Sequence, residues 1–426
     1  MITYDRFVLD NGLRVIVHED RSTPMVAVNV LYDVGSRDES PDRTGFAHLF
    51  EHLMFGGSAN VPEFDEPLQL AGGENNAFTN SDVTNFYNLL PAQNIETAFW
   101  LESDRMLSLN FDEEVLETQR KVVVEEFKET CLNQPYGDAW HHLSEMVFQS
   151  HPYRWPTIGK TMQHVEEANM DDVKSFYFKY YRPNNAILVV SGNTDATSVK
   201  VLAEKWFGDI PNGAIPKREL PQEADQHEER GVEICSDVPL NAIYMAFQMF
   251  DRLHSDYYVA DLLSDILCNG RSSRLYQRLL KQKQLFSQID CYVSGSIDKG
   301  VLVVEGRPAE KVDMVTAEAA IWAELDQLVA EGVEEQELQK VKNRVESTLV
   351  FSEMSILNKA INLAFFEVLG DVDRINQEAS IYQKITTTDI QRVAKQLLRK
   401  DNCSTLRYRS NSSIEPTAVT ELETVF

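Results

Sequence analysis

Gly45-Phe46-Ala47-His48-Leu49-Phe50-Glu51-His52-Leu53-Met54-Phe55 is the stretch around which the rest of the chain can be arranged. Its polar residues are spaced His-x-x-Glu-His, and on a helix positions i, i+3 and i+4 share one face. Neutral imidazoles at His48 and His52 present donors to one zinc ion, and a carboxylate at Glu51 stands where it can take a proton from an attacking water. Leu49, Phe50, Leu53, Met54 and Phe55 are all apolar, so the helix is expected to be buried and the trio to sit in a lined cleft. The competing reading is two core histidines and an incidental glutamate. Against it stands the uncompensated desolvation of buried imidazole and carboxylate groups without partners.

Working outward, Arg6 to Leu9 and Leu13 to Val17 flank Asp10-Asn11-Gly12, a strong hairpin signal. A third strand, Met25 to Tyr32, and the loop Gly35-Ser36-Arg37-Asp38-Glu39 lead into the motif. Beyond it, Glu63 to Leu70 reads as a short amphipathic stretch. Asn75 to Leu89 reads as two strands bent near Ser81-Asp82. A strand edge close to a metal could hold a peptide by backbone pairing.

Helices are expected over 91–108 and 112–130. On the second, Val115, Leu116, Gln119, Val122, Val123, Glu126 and Phe127 fall on one stripe at 100° per residue, with Glu125 about a quarter-turn away. Glu126 therefore faces the core and needs a partner, either a metal or a buried Arg or His. Residues 136–170 read as loop-rich. A helix is expected over 171–180, a buried strand over 186–192 and a further helix from Thr197 to Trp206. The Pro-containing stretch 211–226 marks a linker, dividing the chain into 1–215 and 225–426.

The second half begins like the first, with a strand at 238–247 and a helix from Tyr257 to Leu267. Ala260 to Gly270 set against Ala47 to Gly57 keeps the apolar positions, but Asp261, Ser264 and Asp265 replace His48, Glu51 and His52. This is an internal repeat that lost its metal donors, or an ordinary buried helix in both places. Helices near 272–284, 311–331, 334–349, 354–369 and 387–399, strands near 288–294 and 301–305, and a polar, frayed tail from Ser410 complete the expectation.

With 426 residues, the chain has room for two to three cored domains. A net charge of −27 argues against nucleic acid and anionic membrane surfaces as partners. Cys131, Cys235, Cys268, Cys291 and Cys403 are scattered without a C-x-x-C pair, which suggests reduced thiols. With neither a signal peptide nor an apolar run of membrane-spanning length in view, the cytoplasm is the expected compartment.

The sequence resembles the pitrilysin-type inverse-zincin peptidases, most closely the short, mitochondrial-processing-peptidase-like members. The resemblance is carried by Gly35-Ser36-Arg37, Gly45 to Gly57, Asn76-Ala77-Phe78-Thr79, Tyr180 to Asn185, Phe207 to Pro211 and Ser272 to Leu275. It implies an α+β fold of two homologous domains facing each other, each a mainly antiparallel sheet covered by helices. It implies one zinc per chain on His48 and His52, with Glu51 as general base. In Gln119-Arg120-Lys121-Val122-Val123-Val124-Glu125-Glu126 it selects Glu126 as the distal ligand, in agreement with the stripe. It also implies that Asn76, Ala77 and Phe78 hold substrate.

Two departures stand out. Gln119 occupies a position beside the site where the family usually has a second Glu. The family's substrate clamp of Arg and Tyr falls on Leu280 and Ser287. The expected activity is zinc-dependent hydrolysis of short or unfolded peptides in a chamber, completed by a clamp-bearing homologous chain or by a second copy. The rival expectation is a non-catalytic or partner-dependent subunit of a heterodimeric peptidase.

Overall fold

The computed structural model describes residues 1–215 and 217–411. Most of the tail expected to fray lies outside the described residues, but Ser410 does not fit that expectation: it is buried at the end of a strand. The strands are β1 (Asp5–Val8), β2 (Arg14–Glu19), β3 (Met25–Tyr32), β4 (Glu74–Thr79), β5 (Thr84–Pro91), β6 (Ala186–Gly192), β7 (Arg230–Ser236), β8 (Ala242–Gln248), β9 (Phe286–Ser294), β10 (Val301–Pro308) and β11 (Cys403–Ser410). The first-half helices are α1 (Phe46–Leu53), α2 (Asp65–Leu70), α3 (Ile95–Leu107), α4 (Glu113–Phe127), α5 (Ala139–Val147), α6 (Met162–Glu166), α7 (Met170–Tyr180) and α8 (Ala196–Phe207). The later ones are α9 (Tyr257–Cys268), α10 (Met314–Glu331), α11 (Glu335–Ser352), α12 (Ile356–Val368), α13 (Glu378–Lys384) and α14 (Thr387–Leu397).

Two sheets result. The first has the order β1-β2-β6-β3-β5-β4 and the second β7-β11-β8-β10-β9. Each contains one parallel pair, β2 with β6 and β7 with β11, and is otherwise antiparallel. From β2 onward the first sheet repeats the second position by position, so α1 follows β3 as α9 follows β8. The mixed α and β architecture of two homologous halves is the expected one.

The central strands read as unbroken apolar runs, because both faces of each sheet are covered. On the first sheet, Val15, Val17, Val26, Val28, Val30 and Tyr32 pack under α1, α3, α4, α7 and α8. The opposite face, with Ile16, Ala27, Leu31, Ile187 and Val189, is covered by Ala360, Leu363, Ala364 and Phe366 of α12, a helix from the second half. The second sheet is treated in the same way. Ala242, Tyr244, Ala246, Val303 and Leu406 are covered by Ala139, Leu143 and Val147 of α5, a helix from the first half. Each half thus lends the other a helix. Fully burying one large apolar side chain contributes roughly 1.5–3 kcal/mol, so separating the halves would expose several such contacts at once.

The seam also carries ions. Buried Arg37 meets Asp82 at 2.9 Å and Asp298 at 3.3 Å, and the Ile297 N–H donates to Asp82 at 2.9 Å. This ties a second-half loop to the turn between β4 and β5.

Several expectations need correction. Residues 136–170 are loop-rich but also hold two helices, α5 and α6, that were not anticipated. β7, β11 and α13 were not anticipated. No single helix among the described residues is long and apolar enough to cross a membrane; α11 and α12 reach that composition only as a pair bent by 108°.

Candidate metal centre

α1 begins at Gly45, whose left-handed φ of 86° suits glycine, and the Ile158 carbonyl oxygen lies only 2.8 Å from where a Cβ would stand. Leu49, Phe50 and Leu53 anchor the helix in the first core. The other face presents His48 and His52, their ring centroids 4.9 Å apart and nearly perpendicular.

α4 packs beside α1, and its stripe is rotated slightly from the expected one. Leu116, Val123, Val124 and Phe127 are buried, while Val122 is 44% exposed. The rotation keeps Glu126 half-buried and aimed at the histidines. Its Oε2 lies 3.7 Å from His48 Nε2 and 3.4 Å from His52 Nε2. Glu125 points to solvent and pairs with Lys128 at 2.6 Å. Gln119 sits two turns before Glu126, half-buried, and forms no hydrogen bond with the cluster. The chain continues from α4 into a wider π-helical turn, Lys128–Leu132.

The donor set suits zinc by distance and by charge state. One atom from each of His48, His52 and Glu126 lies within 4.8 Å of the other two. The His–Glu separations exceed a good hydrogen bond. They match the edge of a zinc tetrahedron, about 3.4 Å when each ligand is about 2.1 Å from the ion. Burial holds His48 below the ordinary imidazole range, leaving it neutral as a ligand must be. Glu126 is lowered by the His52 imidazole, which favours its carboxylate. Burial raises Glu51 above the ordinary carboxylate range, with the neighbouring Thr79 hydroxyl pulling it down.

β4 lies at the edge of its sheet beside α1 and, among the described residues, pairs only with β5. Ala77 packs toward the first core, as does α1. Phe78 points to the other face, against the cluster that includes α12, so its side chain does not face the histidines. The Ala77 N–H is held by the Asn76 Oδ1 at 2.8 Å. Leu280 packs on the second core, and the Ser287 hydroxyl donates to the Arg307 carbonyl at 3.1 Å. Gln284, between these two positions, adopts a left-handed φ of 53°.

The motif reading passed over two residues. Thr79 touches Glu51 from β4; its signal is the two-residue alternation that puts it on the face of Ala77. Glu39 approaches the start of α1; its signal is an acid six residues ahead of a helix that opens on Gly45 without a capping side chain.

The chain resembles known proteins along most of its length. Residues 14–161 match the family model described as Insulinase (Peptidase family M16), and residues 167–345 match the one described as Peptidase M16 inactive domain. The chain is 28% identical over 411 residues to the zinc protease PqqE of Helicobacter pylori, covering 95% of this chain and 92% of that one. It is 26% identical over 403 residues to the uncharacterized zinc protease YmxG of Bacillus subtilis, covering 93% of this chain and 96% of that one. The crystal structure of a protease from Helicobacter pylori superposes with a TM-score of 0.91 at 28% identity, covering 96% of this chain and all of that one. The chain belongs to the pitrilysin-type peptidase family M16.

Proposed function

We propose that the chain is a zinc-dependent endopeptidase that hydrolyses short or unfolded peptides in a chamber formed with its two homologous halves, 1–215 and 225–426. The observation that carries the proposal is the convergence of His48, His52 and Glu126 to within 4.8 Å beside Glu51. The relatives' printed names, zinc protease, point the same way.

His48, His52 and Glu126 hold the metal. Zinc, when bound, supplies Lewis-acid polarisation of the scissile carbonyl. Glu51 takes the proton of the attacking water and returns it to the leaving amine. Burial that lifts its proton affinity suits a group that must do both. Peptide adds to the free edge of β4 as a further strand and takes over the Ala77 N–H from the Asn76 side chain. Asn76, Ala77 and Phe78 contribute mainly through backbone.

The test is metal analysis of the purified chain and cleavage of an unstructured peptide before and after chelation. About one zinc per chain and cleavage abolished by chelation are expected. Cleavage that survives complete metal removal defeats the proposal.

One observation favours a partner-dependent form of this activity. Leu280 and Ser287 are engaged by their own half and offer a peptide no Arg or Tyr. A homologous chain bearing that pair would then complete the chamber. Cleavage by the isolated chain that does not change on adding such a homologue would restrict the reading to a homodimer or monomer.

A further inference from the structure

We infer that Glu39 is a positioning residue for the metal-binding helix: its carboxyl group fixes the start of α1 and so the place from which His48 and His52 reach the metal. The inference rests on the zinc-peptidase reading above.

A helix leaves its first N–H groups without partners. α4, α7, α8, α10, α12 and α14 satisfy some of theirs with the side chain of their own N-cap residue, Asp112, Asn169, Asp195, Asp313, Ser355 and Thr386. α1 has Gly45 at that position and no side chain to offer. Glu39 reaches in from the preceding loop instead. Its Oε2 accepts the Gly45 N–H at 3.0 Å and its Oε1 the Ala47 N–H at 2.8 Å, one bond from each oxygen. Ala47 directly precedes His48.

Glu39 is only 7% exposed and forms no ion pair among the described residues. Burial pushes its carboxyl up to about 8, the two helix N–H donors pull it down, and Asp38, also an acid, pushes it up. A buried carboxyl group with no cation beside it is an expensive cap, whereas an exposed Ser, Asp or Asn caps a helix for about 1 kcal/mol of stabilisation. The costly solution is found on the helix that carries the metal donors.

The loop that holds Glu39 is itself anchored. Arg37 reaches Asp298 of the second half, and Asp38 is held by Arg218 of the connecting segment at 2.8 Å. The same few residues therefore tie the metal helix to the seam between the halves.

Glu39→Gln is the test, because the amide keeps the size but turns one accepting oxygen into a donor facing an N–H. The zinc dissociation constant is expected to rise about tenfold. At saturating zinc, kcat is expected to fall about tenfold with KM within twofold. The visible spectrum of the cobalt(II)-substituted protein should change, reporting altered ligand geometry. Glu39→Asp, which keeps both carboxyl oxygens, should recover part of each effect, and it replaces Glu39→Gln if that variant does not fold. A lower melting temperature with unchanged zinc affinity, kcat and cobalt spectrum would overturn the inference and leave Glu39 a stabilising cap. Should the unmodified chain neither bind zinc nor cleave peptide, the peptidase reading itself has failed, a result distinct from a working enzyme indifferent to Glu39.

Discussion

The helix α1 and its counterpart α9 occupy the same place in two copies of one architecture and have opposite surroundings. On α1, His48 and His52 face Glu126 at 3.7 and 3.4 Å, too long for good hydrogen bonds and near the ligand spacing of a shared ion. On α9, Asp261, Ser264 and Asp265 stand at those positions and are satisfied internally. Asp261 accepts the Tyr382 hydroxyl at 2.5 Å, the Ser264 hydroxyl donates to the Asp261 carbonyl at 2.8 Å, and the Asn269 amide donates to Asp265 at 2.5 Å. Burial raises both aspartates. A scaffold that must bury a helix beside a sheet edge can therefore leave its polar face open for a ligand or close it with α13. The side chains decide which, and the backbone is indifferent.

The sharpest break in the comparison is Glu51→Gln. It should keep zinc and lower kcat by about a thousandfold, within the range of a lost general base, measured as peptide cleavage alongside metal content. Glu126→Gln comes next. It should weaken zinc binding by well over tenfold, whereas Glu125→Gln, exposed and paired only with Lys128, should change stability by no more than about 0.5 kcal/mol. Zinc stripped by the Glu125 change and retained by the Glu126 change would invert the assignment of the distal ligand.

The exchanged helices permit a stability test. Leu363→Ala removes a fully buried side chain of α12 from the first sheet and should cost about 2–5 kcal/mol. Leu143→Ala on α5 should do the same to the second sheet. Calorimetry should show each substitution destabilising the half it covers; an effect confined to the half it belongs to by sequence would count against the exchange.

Turning the second copy into the first should fail. Asp261→His with Asp265→His creates two imidazoles but loses the Tyr382 bond, so zinc should remain at about one per chain while stability falls by about 1–3 kcal/mol. The smallest effect expected is in the pH profile. In its proposed role as base, Glu51 has its proton affinity raised by burial, so its working form is lost as pH falls through the raised value. The acid limb of kcat/KM should accordingly lie above the ordinary carboxylate range and disappear in Glu51→Gln.

Much of the first half was legible. Hairpin chemistry at Asn11-Gly12, continuous apolar runs at β3 and β6 and the donor spacing on α1 are local signals. The stripe on α4 separated Glu126 from Glu125, although Val122 and Val124 exchanged roles because the helix is rolled slightly about its axis. β7 and β11 escaped because their alternating, partly charged sequences, Arg230–Ser236 and Cys403–Ser410, are indistinguishable from linker and tail until they pair with each other. α5 escaped because it lies in a stretch punctuated by Pro135, Pro152 and Pro156.

By itself the sequence determined the spacing of His48, Glu51 and His52, the place of Glu126 on the inner stripe of its helix and the repeated apolar pattern, because each depends on residue type and short-range spacing; the lost clamp at Leu280 and Ser287 is legible only through the family resemblance. Tertiary structure alone decided which half each helix serves, that Phe78 turns toward α12 rather than the histidines, and that Glu39 closes the start of α1. Those outcomes depend on contacts between segments remote in sequence or on how a rigid element is rolled against its neighbours. No local periodicity encodes them, since an apolar helix face satisfies its burial equally well against any sheet that the rest of the chain leaves uncovered.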